Sequence, residues 1–123
     1  MFGLKQIAEI ARRAAEVIQK RGKATGVFMD PTGKVCTVGA IRVAMAEQGL
    51  GYTLDEEGKD LHPSVPIAFP MGTDNARRAE MLICERIESQ VQMGVTNWSD
   101  HPRTTAEDIA KRLNQAADEI EVL

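Results

Sequence analysis

Asp30-Pro31-Thr32-Gly33-Lys34-Val35-Cys36-Thr37-Val38-Gly39-Ala40-Ile41 is the stretch on which the fold turns. Its first four residues are shaped for a β-turn with Pro at the second position. Gly26-Val27-Phe28-Met29 and Lys34-Val35-Cys36 flank that turn, so a small β-hairpin is expected over 26–36. Two strands alone are marginal, and the hairpin must pack on helices. From Thr37 to about Gln48 only Arg42, Glu47 and Gln48 interrupt Val38, Ala40, Ile41, Val43, Ala44, Met45 and Ala46. A helix apolar nearly all round is a central one.

The flanking sequence supplies helices to surround it. Leu4, Ile7, Ala8, Ala11, Ala14, Ala15 and Ile18 recur at helical spacing, and Lys20, Arg21 and Gly22 mark the end of that helix. Thr73 can cap a third helix with Ala76, Ala79, Ile83, Ile87 and Val91 as its buried stripe, closed by Gly94. Thr104 and Glu107 have capping-box spacing before a fourth helix that buries Ala106, Ile109, Leu113, Ala116 and Ile120. Between the second and third helices, Pro63, Pro66 and Pro70 forbid a continuous helix, so 50–72 reads as a long Pro-containing loop. The expectation is mainly α: one compact four-helix domain over 1–123, with a central apolar helix and a small β-hairpin.

The composition agrees. The chain has 123 residues, enough for one core, and only five of them are aromatic: Phe2, Phe28, Tyr52, Phe69 and Trp98. A core of Ala, Ile, Val, Leu and Met suits close-packed helices. Residues 1–49 carry eight Lys/Arg against four Asp/Glu, and 50–123 carry seven against fourteen. This polarity can serve an intramolecular fit, a homo-oligomer or a charged partner, and the net charge of −3 argues against nucleic acid. No apolar run approaches membrane-spanning length, the first residues lack a signal-peptide core, and the expected location is cytoplasmic.

Several side chains have chemistry to weigh. Cys36, at a helix N-terminus, is a candidate nucleophile for a cysteine-dependent hydrolase or transferase, with His62 or His101 as the base. A buried structural thiol is the stronger reading, since no oxyanion donors can be identified around it. Cys36, His62, Cys84 and His101 could supply a metal site, but their spacing lacks ligand clustering and none is assigned. Glu80, Glu85 and Glu88 read as a solvated helix face. No phosphate-loop sequence occurs, and no cofactor is expected. Arg12, Arg13, Lys20, Arg21 and Lys23, with Lys34 nearby, form a basic end of helix one through which nucleic acid could be touched. Tyr52, Ile67 and Phe69 are the candidate interaction surface, and Met71, Met81 and Met93 could extend it or fill the core.

Cys36-x-x-Gly39-Ala40-Ile41, then Trp98-Ser99-Asp100-x-Pro102-Arg103-Thr104, then an Ala-rich amphipathic helix, make a recognisable order of parts. Together they resemble a family of small domains of unknown function from actinobacteria and their phages, over roughly Leu4 to Ala117, with Ser99 where the family's pattern carries Asn. The resemblance implies a fold and a biological setting, without a mechanism. Physically, Gly39 and Ala40 would let a neighbouring helix approach closely, and Trp98 and Asp100 would anchor a turn leading to the Thr104 cap. The function expected is a non-catalytic protein-interaction or regulatory domain with an unknown protein partner.

Overall fold

The computed structural model describes residues 2–53 and 72–123. These form five helices: α1 (Leu4–Arg21), α2 (Thr37–Glu47), α3 (Asp74–Val91), α4 (Val95–Asp100) and α5 (Ala106–Glu121). His62, Ile67, Phe69, Met71 and the three prolines of the expected loop lie outside the described residues.

The main packing unit is the antiparallel pair of α1 and α5. Ile7, Ala8, Ile10, Ala11, Ala14, Ala15 and Ile18 are the buried stripe of α1, and Ile109, Ala110, Leu113, Ala116, Ala117 and Ile120 that of α5, the helix α1 packs on most extensively. The many alanines leave little bulk between the two backbones, and the isoleucines and Leu113 fill the space between turns. Burial of each large aliphatic side chain stabilises the fold by about 1.5–3 kcal/mol, and these two stripes supply much of the buried core. Charge follows the same register. Arg12 bonds Asp118 and Glu121 at 3.0 Å each. The basic first half of the chain thus finds acidic partners within the molecule. Such exposed pairs add little beyond orientation.

No strand or sheet forms among the described residues, so the expected β-hairpin at 26–36 is corrected. The turn itself exists: the Asp30 carboxylate accepts from the N–H groups of Thr32 and Lys34, and Gly33 N–H donates to the Asp30 carbonyl. What fails is the ladder. Val35 is shared between two partners, bridging Met29 on one side and Lys23 on the other. Its N–H donates to Gly22 and its carbonyl accepts from Ala24. Cys36 already serves as the α2 N-cap, so the second arm ends before a second strand pair can form.

Two further expectations change at the other end. The anchored turn leading to α5 begins in a short helix, α4, which raises the helix count to five among the described residues. Its Val95 N–H is satisfied by the Glu88 carboxylate of α3 at 2.7 Å, a cap from outside the segment. The α5 cap is Thr105, paired with Asp108 in a reciprocal capping box, and not Thr104 with Glu107. Both pairs have the required spacing. Lys23 decides between them, because its ammonium takes the Thr104 carbonyl at 2.6 Å and draws Thr104 into the buried interior. Thr105→Ala is therefore expected to cost about 1 kcal/mol in urea unfolding. Glu107→Gln should leave the midpoint within experimental error.

Candidate functional site

The start of α2 is where the loop over 22–36, α3 and α4 converge. A Cβ on Gly39 would fall on the Phe28 carbonyl oxygen, so only glycine fits beneath that backbone. The same carbonyl accepts the Cys36 N–H at 3.1 Å. The close approach read from Gly39 and Ala40 is thus made at Gly39 by a loop, not by a helix. Ala40 is fully buried. The Ser99 hydroxyl oxygen, delivered by α4, accepts from the Thr37 N–H at 3.1 Å and from the Thr37 hydroxyl at 2.9 Å, in a buried contact. Asp100 accepts from the Gly26 N–H at 3.0 Å, and Trp98 packs partly buried against the core.

Cys36 caps this helix with its sulfur, which accepts the Gly39 N–H at 3.4 Å. Burial pushes the thiol up, the nearby Asp100 charge adds to that, and the backbone N–H groups of Gly39 and Val38 pull only partly the other way. The helix terminus therefore does not yield a ready thiolate. His101 is exposed at the end of α4. Its Nδ1 accepts the Arg103 N–H at 3.1 Å and its carbonyl accepts from Lys23, so it organises its own turn. His62 lies outside the described residues. Among the described residues no group of three His, Cys, Asp or Glu is placed to hold a metal ion.

The expected basic end of α1 is divided by the fold. Arg12 is committed to α5, and Lys23 donates to the His101 and Thr104 carbonyls at 2.7 and 2.6 Å. Arg13, Lys20 and Arg21 line an open groove of about 550 Å³ with Thr32 and Gly33, but Glu16 and Glu47 line it too. That mixed charge gives no continuous cationic track for a phosphate backbone.

A second cluster sits one turn along α2, and its main members had looked unremarkable. Arg42 interrupts an apolar helix, and Glu80 reads as solvated surface. In the fold they form a mostly buried pair, Nε to Oε1 at 2.6 Å and a second nitrogen to Oε2 at 3.3 Å. The Phe28 and Tyr52 rings lie 4.5 and 5.1 Å from the guanidinium carbon. Tyr52, expected at the surface, is buried and donates its hydroxyl to Glu80 at 3.2 Å. Burial alone would lower Arg42, yet the hydrogen bond and charge of Glu80 hold it above its ordinary value. The Tyr52 hydroxyl is pushed up by burial and then by Glu80. One turn beyond Glu80 on α3, burial pushes Cys84 up to about 12, with Glu80 and Glu88 adding to it. The only sequence signal for this cluster was an arginine breaking an otherwise apolar helix.

A family profile matches residues 4–119, from the first residue of α1 into the last turn of α5. The chain belongs to DUF6197, a family of unknown function. No curated protein and no solved structure matches it. No described helix of this DUF6197 domain is long and apolar enough to cross a membrane.

Two outcomes follow from the site's geometry. Glu80→Gln removes the charge that meets the Arg42 guanidinium from α3 in a mostly buried setting and should cost about 2–3 kcal/mol, read by chemical denaturation. Cys84 has a folded pKa above its unfolded one, so the folded state holds a proton that the unfolded chain releases. Its contribution is complete below the unfolded thiol value, about 8.5, and is lost as pH rises from there towards about 12. Cys84→Ala should therefore flatten the alkaline fall in stability measured by unfolding between pH 8 and 11.

Proposed function

We propose that this chain is a non-catalytic protein-interaction or regulatory domain, cytoplasmic and of phage or actinobacterial origin. The observation that carries this reading is how fully the candidate chemistry is used by the architecture. Cys36 caps a helix from a buried position with its thiol held protonated, and His101 binds its own turn. Neither group is left poised for nucleophilic or general-base work. The described surface offers a partner a few exposed large apolar side chains, Phe28 among them. Phe28 is 41 % exposed, with its ring seated on Arg42, which Glu80 holds in place. An aromatic fixed from below loses little freedom on contact, and such residues often carry the binding energy of an interface. Phe28 therefore replaces Tyr52 at the centre of the proposed contact.

Iodoacetamide at neutral pH separates this reading from a cysteine-dependent hydrolase or transferase. Both thiols should stay unmodified in the folded protein and react once it is unfolded. Rapid, selective alkylation of Cys36 in the folded state would restore the enzymatic reading. Phe28→Ser, confirmed folded by circular dichroism, should reduce capture of a specific partner from host lysate at least tenfold. Undiminished capture would remove Phe28 from the contact.

A further inference from the structure

We propose that the groove beside α1 takes a short extended peptide segment that carries a basic and an acidic side chain two residues apart. The groove holds about 550 Å³, a volume in the range of small-ligand sites. Arg13, Glu16 and Lys20 line it from one exposed face of α1. Their spacing would let them pair with one another, yet among the described residues none of these three side chains has a hydrogen bond or ion pair. The other lining groups are held in place. Arg21 donates through Nη1 to the Gly33 carbonyl at 3.4 Å and reaches the Met29 sulfur at 3.9 Å. A Cβ on Gly33 would stand 3.2 Å from that nitrogen, and its φ of +94° also favours glycine, so the turn lets the guanidinium lie close. The second guanidinium nitrogen is 4.0 Å from Glu47, too far for a hydrogen bond, which leaves the Glu47 carboxylate able to accept from a ligand.

The order of charge selects the occupant. A polyanion meets Glu16 and Glu47 together with the cations, whereas a segment bearing both signs satisfies each. Glu16 and Lys20 are four residues apart, about 6 Å along the helix. Side chains on one face of an extended peptide recur at about 6.8 Å, nearly the same interval. A Lys or Arg of the segment can therefore meet Glu16 while a Glu or Asp two residues away meets Lys20. Exposed ion pairs are individually weak, so binding rests on several at once and falls as salt rises. This occupant rests on the protein-interaction reading but uses a surface other than Phe28.

The experiment titrates the intact, folded protein with the capped pentapeptide Gly-Lys-Ser-Glu-Gly and follows backbone amide shifts by NMR. Saturable shifts confined to residues 13–21, 30–34 and 47 are expected. Glu16→Gln and Lys20→Gln, both at exposed helix positions, should each weaken binding about fivefold or more. Glu16→Lys should lose this peptide and gain its Glu-Ser-Glu counterpart, an exchange that a purely structural role for Glu16 would not produce. Shifts that fail to saturate at millimolar peptide, or that scatter over charged residues outside the groove, would overturn the proposal. So would equal binding of Lys-Ser-Lys and Glu-Ser-Glu peptides to the unaltered chain. Because the peptide is read directly, such a failure removes the groove and leaves the Phe28 contact to its own test.

Discussion

A missing side chain governs the centre of this fold. Because Gly39 has no Cβ, the backbone at Phe28 can lie directly on the first turn of α2, where its carbonyl accepts the Cys36 N–H. That placement sets the path of the whole 22–36 loop. It also puts the Phe28 ring over Arg42, three residues on along the same helix. Arg42 in turn fixes Glu80, and Glu80 receives the Tyr52 hydroxyl. A single close approach thus propagates from the loop through α2 to α3 by van der Waals contact, stacking and a charge-assisted hydrogen bond.

Among the described residues, polar groups that could suggest chemistry are drawn into this architecture. Ser99 and Cys36 close the N-terminus of α2, Glu88 closes that of α4, and the Lys23 ammonium joins the carbonyls at 101 and 104. Helix termini leave unsatisfied backbone groups, and here several are met by side chains remote in sequence. Such satisfaction stabilises the contacts between elements while occupying the donors and acceptors that a reaction would need. The charge imbalance between the two halves of the chain has a similar fate where Arg12 meets Asp118 and Glu121.

Helical periodicity was legible. The stripes around Ile7 and Ile109, the apolar wrap of α2, and Thr73 as the α3 cap, which accepts the Ala76 N–H, all follow from spacing and residue type. The turn at Asp30 was legible for the same local reason. The errors arise where a distant residue chooses between local options. Lys23 selects Thr105 over Thr104 as a cap, Val35 divides its pairing and leaves no hairpin, and Glu88 allows six residues after Gly94 to coil into α4. The Arg42–Glu80 pair was not legible, because Arg42 reads only as an interruption of an apolar helix and Glu80 as a solvated residue on its own. Burial of the pair is a property of the seam, and of neither helix alone.

The pairing of α1 with α5 also has a consequence for synthesis. The apolar stripe that begins at Ile7 meets its counterpart at residues 109–120, so some hundred residues between them must be made before the largest seam can close. During translation α1 can coil early, yet much of its sticky face stays uncovered, with only α2 and α3 to rest on, until α5 clears the ribosome. Ala-rich packing lessens that exposure, since Ala8, Ala11, Ala14 and Ala15 present far less apolar area than leucines would at the same sites. The small residues that let two helices approach closely in the finished fold also shelter the nascent chain from misassociation.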